Sequence, residues 1–351
     1  MWPSVDVNLF VHNGAVTVGP AIESVLAQTW PALHLTLIDD GSTDGTTAIL
    51  ADYAARHAGI TLKRNRHNAG AIPNFQRAFW TGDADFVMPK SGDDLIAPDF
   101  IARAMDVLMA HPGCAMVHAG GLIVRGEAEI VARYPPEHNL LAIGPDPRAR
   151  IGAVMARYTS SPSFWGVYRR AASDALSPIR YRAGWDHVLL AELALYGEIR
   201  HVEAPLYWRR DGGKPVANLA RAATAQACAR LTLDDDLAEQ RWRAPLITTA
   251  YAHMEMLAAS RLAGTNRLCL MDDVAPIFRA RWLPYLRQEA EAVHAALPDL
   301  LRRLRETSPM EAAWLAGGLA DLIRSVIALV PEIPLHWAQA EIAAGSGEYV
   351  A

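Results

Sequence analysis

Two pairs of adjacent aspartates dominate the chemistry this sequence can carry. Asp39-Asp40 closes the apolar run 33–38 and is followed by Gly41-Ser42-Thr43-Asp44-Gly45. Asp93-Asp94 closes a second run, 85–88, after Pro89-Lys90-Ser91-Gly92. Neighbouring carboxylates repel, so such a pair usually faces a cation, a basic group or a ligand. Hard divalent cations take oxygen ligands, and Mg2+ or Mn2+ commonly joins one or two carboxylates to substrate phosphates. Each cluster taken alone is also what a polar turn with a helix cap looks like. A third acid, Asp186, stands in Gly184-Trp185-Asp186-His187 ahead of the apolar stretch 188–195. A carboxylate beside an aromatic at a helix start can act as a general base, and it can equally be a helix cap.

These acids need elements that bring them to one edge. Residues 5–11, 33–38, 60–63, 85–88 and 115–117 read as strands. Helices are expected from Pro20 through Gln28, from Thr43 or Asp44 to about His57 with Ile49, Leu50 and Tyr53 on one face, around 75–80, and over 99–110. Strands alternating with helices imply an α/β fold, a mostly parallel sheet covered on both faces. Ligands of such sheets bind beyond the carboxyl ends of the strands. The polar clusters after the first, second and fourth strands lie at that edge. Residues 126–160, with Pro135-Pro136, Pro145 and Pro147, read as a long loop, an acceptor-side flap. From about residue 216 strand signals vanish and Ala, Leu and Arg at helical spacing prevail, with breaks near Pro245, Gly264, Pro284, Pro309 and Pro331–334. Asp234-Asp235-Asp236 reads as a solvated helix start.

Composition narrows the function classes. The chain has 351 residues, 51% apolar and 20% charged, which suffices for a sizeable core and excludes global disorder. A net charge of −5 argues against a broad electropositive face, so no nucleic-acid partner is expected. Cys114, Cys228 and Cys269 are far apart, without zinc or disulfide spacing, and fit a reducing cytoplasm. The start, MWPSVDVNLFVHN, lacks the basic region of a signal peptide. The most apolar stretch, 314–330, contains Gly317-Gly318, Asp321 and Arg324. Trp314, Leu315, Leu319, Leu322, Ile323, Val326 and Val330 fall on one helical face there, as in a packing helix rather than a membrane span.

Order and spacing over residues 4 to 212 add a family. The run 5–13, then Glu23-Ser24-Val25-Leu26-Ala27-Gln28-Thr29-Trp30, then the Asp-Asp-Gly-Ser-Thr-Asp-Gly turn resemble the family 2 glycosyltransferases. Asn65-Arg66-His67-Asn68-Ala69-Gly70 matches the family's Asn-x-Gly segment. Ser91-Gly92-Asp93-Asp94 sits where the family keeps its metal-binding Asp-x-Asp. Residues 163–170 resemble the strand before the acceptor site, Trp185-Asp186-His187 falls at the catalytic-base motif, and Pro205-Leu206-Tyr207-Trp208-Arg209-Arg210 follows.

The resemblance implies the GT-A nucleotide-sugar-binding fold over 1–212, with an all-helical extension over 213–351. It implies an inverting transferase moving a sugar from a nucleoside-diphosphate sugar, UDP-linked, to an acceptor hydroxyl on a glycan, a lipid-linked carrier or a protein. Phe10, His12 and Asn13 would line the base pocket. Asp39 or Asp40 would bind the uracil or ribose edge, and Asn68 and Asn74 would help hold base and donor. Asp93 would ligate Mn2+ or Mg2+, Asp94 would orient the sugar, Asp186 would take the acceptor proton, and Arg209 and Arg210 would contact diphosphate or acceptor. The departure is Ser91, which stands at the first acid of the metal motif and weakens that site. The alternative it raises is a non-catalytic nucleotide-sugar-binding module or assembly scaffold. The helical third is where a homo-oligomer contact or a peripheral membrane contact would be sought.

Overall fold

The computed structural model describes residues 2–126, 129–136, 139–157, 162–179, 184–211, 245–260, 264–306, 309–339 and 342. The chain divides into two units. The first comprises Met1–Ile179 and Leu189–Ala220, the second Arg180–Val188 and Arg221–Ala351.

The first unit is built on β1 (Val5–Val11), whose Val5, Val7 and Leu9 are wholly buried. Those three lie on one face, and Asp6 and Asn8 on the other are buried as well, so the strand is covered on both faces, as parallel strands are. It pairs in parallel with β2 (Leu33–Asp39) and β4 (Phe86–Ser91), and β2 pairs in parallel with β3 (Ile60–Arg64). The crossovers are α1 (Val18–Leu26), α2 (Thr46–Arg56) and α3 (Ala71–Phe79). Val18, Ala21, Ile22 and Val25 of α1 bury one stripe at helical spacing. Beyond β4 lie the two-residue β5 (Leu95–Ile96), α4 (Phe100–Ala110), β6 (Cys114–Arg125), β7 (Glu129–Arg133), α5 (Pro147–Arg157), β8 (Gly166–Arg169), α6 (Arg170–Ser173), α7 (Trp185–Tyr196) and β9 (Glu198–Arg210). Among the described residues these strands form one nine-stranded mixed sheet in the order β3-β2-β1-β4-β8-β6-β9-β5, with β7 on β6. The α/β class expected from the sequence is what the structure has.

Two local expectations change. Residues 126–160 are not one long flap: β7 extends the sheet, and α5 begins at Pro147, whose fixed φ and missing N–H suit a first helical position. Ile151, Val154 and Met155 bury the inner face of α5. The strand expected at 115–117 runs for twelve residues. Its continuation is broken in sequence by Gly120-Gly121, opposite Pro205 and Tyr207 of β9, where the register shifts. Bulges of this kind bend a strand without ending it.

The second unit is helical where described: α8 (Pro245–Ala259), α9 (Gly264–Glu306) and α10 (Pro309–Leu329). Pro245, Gly264 and Pro309 each open a helix, and the fixed φ and missing N–H of the two prolines suit that first position. Pro284 lies inside α9, whose backbone departs from helical geometry at Trp282 (φ −123°, ψ 15°). Loss of the Pro284 N–H and its ring clash with the preceding turn account for that kink. Leu286, Ala290, Val293, Leu297 and Leu301 form a buried stripe beyond it. Leu319, Leu322, Ile323 and Val326 of α10 and Val330 just after it are buried, as a packing helix requires. The side chains of Trp314 and Leu315, and the Asp234-Asp235-Asp236 segment, lie outside the described residues. Among the described residues no helix is long and apolar enough to cross a membrane.

Candidate active site

The carboxyl ends of β1, β2 and β4 converge on one set of turns. After β1, Asn13 adopts φ +52°, a conformation asparagine tolerates, and its Oδ1 accepts the Thr43 N–H at 2.8 Å. The Asn13 N–H donates to the Ser42 hydroxyl (3.0 Å), and that of Gly14 to the Thr46 hydroxyl (2.9 Å). His12 places Nδ1 2.9 Å from the carbonyl oxygen of Asp40. A carbonyl only accepts, so Nδ1 carries a proton in this contact. Phe10, half-buried, meets Phe75 edge-on at 6.3 Å and Trp165 at 6.0 Å.

The first aspartate pair is buried, and each carboxylate has protein donors. Asp39 Oδ1 accepts the Ser42 N–H (2.9 Å), and Oδ2 accepts the Thr47 hydroxyl (2.7 Å) with Arg64 Nε at 3.3 Å. Burial opposes its ionisation, but the bonds from Thr47 and Ser42, helped by Arg64, outweigh it and hold the carboxyl below its usual range. Asp40 Oδ1 accepts from Asn65 Nδ2 (2.7 Å) and the Ala69 N–H (2.8 Å), and Oδ2 accepts the Gly70 N–H (3.1 Å). Asp40 therefore ties the Asn65–Gly70 loop to β2. Asn74 belongs to the same network: its Oδ1 accepts from Asn65 (3.0 Å) and its Nδ2 donates to the Gly70 carbonyl (2.7 Å). Asn68 is exposed at the loop tip and accepts the Gly70 N–H at 2.8 Å. Gly41 has φ +65°, and a Cβ there would lie 2.7 Å from the His67 carbonyl carbon, so the two loops meet only because this residue lacks a side chain.

The turn after β4 treats its two acids differently. Asp94 is buried: Oδ2 accepts the Tyr207 hydroxyl (2.6 Å) and Oδ1 the Arg210 N–H (3.0 Å), clamping the turn to β9. Asp93 is exposed, and its Oδ1 accepts the Thr17 hydroxyl at 2.9 Å. Ser91 accepts the Asp93 N–H at 3.2 Å and shapes the turn without adding a charge. Below it, the fully buried Lys90 donates to the carbonyls of Ser91 (2.7 Å) and Asp94. Burial pushes its pKa down to about 8 against the attraction of Asp94 and Asp93. Arg209 donates to the Tyr134 hydroxyl (3.1 Å), and Arg210 Nη1 to the Gly126 carbonyl (2.7 Å). Arg210 Nε and Nη2 are buried without a hydrogen-bond partner among the described residues.

Asp186 stands in the first turn of α7, where its Oδ1 accepts the His187 N–H at 3.0 Å. Burial raises its carboxyl to about 6. The end of α7 is fixed by Arg150, which donates to the carbonyls of Ala194 (2.9 Å) and Leu195 (3.2 Å). Its start belongs to the second unit, where Gly184 (φ +68°) lies against Thr249 and His187 packs edge-on to His253 at 4.6 Å.

The structure thus brings together Phe10, His12, Asn13, Asp39, Asp40, Asn68, Asn74, Ser91, Asp93, Asp94 and Arg210 around one sheet edge. Sequence reasoning missed Thr17, Asn65, Lys90 and Tyr207. Asn65 and Tyr207 stand within quoted motifs without a role of their own, and Lys90 is legible as a lysine inside an otherwise apolar strand. No group of three His, Cys, Asp or Glu side chains among the described residues is placed to hold a metal ion.

The mixed α/β sheet with this polar carboxyl edge is GT-A-like in fold. The family description "Glycosyl transferase family 2" matches residues 7–134. The N-terminal part of this chain is a family 2 glycosyltransferase domain. EpsE of Bacillus subtilis (strain 168) is 32% identical over 148 residues, which are 40% of this chain and 52% of EpsE. The chain therefore spans about half the length of that relative. Among solved structures, S. aureus TarS 1-349 in complex with UDP-GlcNAc aligns over 98% of this chain and 89% of its own, with TM-score 0.59 and 14% identity. The mannosyltransferase PcManGT from Pyrobaculum calidifontis, in complex with GDP-Man and Mn2+, aligns over 100% and 88% with TM-score 0.51 and 17% identity. At such identities the likeness is one of fold.

Proposed function

We propose that this chain is an inverting glycosyltransferase that moves a sugar from a UDP-linked donor to an acceptor hydroxyl in glycan or glycoconjugate biosynthesis. One observation carries the reading. Of the four paired aspartates, Asp39, Asp40 and Asp94 are buried and hold the turns in shape, while Asp93 alone is exposed at the strand ends where ligands of such sheets bind. The complexes of TarS with UDP-GlcNAc and of PcManGT with GDP-Man and Mn2+ support a nucleotide-sugar donor. A divalent cation fits a site with a single available carboxylate, because Mg2+ and Mn2+ complete their shells with substrate phosphate oxygens and water. Asp93 would hold it, and the cation would neutralise charge on the departing diphosphate.

The chain's own residues account for the rest. The loops tied by Asn13, Asp40 and Asn74 seat the nucleoside. Arg210 offers two guanidinium nitrogens, Nε and Nη2, that have no partner among the described residues, to an anionic oxygen. Asp186 accepts the acceptor's hydroxyl proton as that oxygen bonds to the anomeric carbon. The bond from that carbon to the diphosphate oxygen breaks, its electron pair leaves with the nucleotide, and configuration inverts.

Ser91 favours a second reading, a nucleotide-sugar-binding module without turnover. One set of measurements separates the two. The chain is assayed for transfer or donor hydrolysis with several nucleotide sugars, and UDP binding is followed by calorimetry in Mn2+. Turnover is expected, and Asp93→Ala is expected to lose the Mn2+-dependent part of the affinity. Binding without turnover would leave the module, and an Asp93→Ala affinity equal to that of the parent in Mn2+ would remove the metal role.

A further inference from the structure

Lys90 has no task in the chemistry above, yet it is a charged group buried completely beneath the turn that carries Asp93. Its ammonium spends its donors on the carbonyls of Ser91 and Asp94 and lies 5.8 Å from the centre of the Tyr207 ring. Among the described residues Lys90 forms no direct ion pair, and the carboxylates of Asp94 and Asp93 attract it only from a distance. Arg210 adds a second cation at the same turn. It is anchored by its main-chain N–H on Asp94 and by Nη1 on Gly126, while Nε and Nη2 are buried and unbonded among the described residues. Leaving two guanidinium donors buried without an acceptor is costly, and it points to an anion in the working protein. At position 91, where the resemblance places an acid, stands an uncharged serine. The two features act in one direction: an acid is absent and a buried cation is present.

We propose that Lys90, together with Arg210, is a built-in counter-charge for the donor's diphosphate, so that the nucleotide binds with little dependence on a divalent cation. The proposal rests on the nucleotide-sugar reading of this site. A cation buried in protein is screened far less than one in water. It attracts the diphosphate directly and repels a divalent cation arriving at Asp93. The two effects both narrow the gap between affinities measured with and without metal.

The test is calorimetric titration of the full chain with UDP and with GDP, in Mn2+ and in EDTA, beside thermal melts. The parent is expected to bind a nucleoside diphosphate in EDTA, with Mn2+ tightening it by less than about tenfold. Lys90→Met keeps an unbranched chain in the same slot without the charge. It is expected to weaken metal-free binding by about tenfold or more and to widen the Mn2+ gap. Ser91→Asp, at a half-buried position that need not disturb the core, is expected to widen the gap by restoring an acid. If Lys90→Met does not fold, Ser91→Asp decides. A gap unchanged or narrowed in variants that melt like the parent would overturn the proposal. So would a parent that binds only with Mn2+, which leaves the donor reading intact. No binding of either nucleotide in either condition would instead overturn the donor reading itself.

Discussion

At the scale of single residues, position in the fold separates acids that look alike in sequence. Asp39, Asp40 and Asp94 spend their oxygens on main-chain N–H groups and neighbouring side chains, and this shapes the loops that any donor would meet. Asp93 keeps its place at the surface with one bond, from Thr17. Asp186 differs again, since burial raises its pKa to about 6 and brings it into the range of a working general base. The ionised form accepts the proton, so transfer is expected to rise with pH through about 6 and then level off. Asp186→Asn is expected to lose transfer and its pH limb while UDP affinity stays within about twofold. Full activity in that variant would remove Asp186 from the base role. The linked effect on stability has the opposite sign. The folded chain holds the Asp186 proton more tightly than the unfolded chain. That contribution is complete below the unfolded value, near 4, and is lost as pH rises through about 6.

At the scale of elements, the sheet edge is held by polar knots away from the ligand side. Asp6 of β1 accepts from Arg170 Nη2 at 2.6 Å and from the Ala84 N–H at 2.9 Å, while Arg170 Nε and Nη1 donate to the carbonyls of Ala84 and Phe79. Both side chains are largely buried. Removing one partner of such a pair strands the other's charge in the interior. Arg170→Met is therefore expected to cost about 3–5 kcal/mol, seen as a clear fall in melting temperature or denaturant midpoint. A change under about 1 kcal/mol would show that water replaces the guanidinium. The early strands and helices were legible because their apolar residues keep a regular period. The later ones were not: β6 and β9 run past Gly120-Gly121 and Pro205, which look like stops in sequence. A pairing set by a partner strand some 80 residues away carries no local signature. The helix α5 was hidden by Pro145 and Pro147, which read as loop residues until Pro147 proves to be a first helical turn.

At the scale of the whole molecule, an α/β unit bearing the candidate site is joined in sequence to a helical unit, and α7 passes between their memberships at Val188 and Leu189. The donor is the property most open to measurement at this level. A ligand that binds only the folded chain raises its melting temperature by mass action. In a thermal-shift panel of nucleoside diphosphates and nucleotide sugars, UDP compounds are expected to give the largest shifts, and a larger shift from GDP compounds would reassign the base. Acid-rich turns after apolar strands in a βαβ order are written along the chain, and a parallel sheet necessarily delivers those turns to its carboxyl edge. Which acids remain available there depends on contacts between distant parts of the chain. Asp40 is claimed by a loop 25 to 30 residues on and Asp94 by Tyr207, 113 residues on, and such partners are chosen by packing rather than by neighbours along the chain. The buried charge of Lys90 became meaningful for the same reason, once the fold set it under the turn with Arg210 beside it.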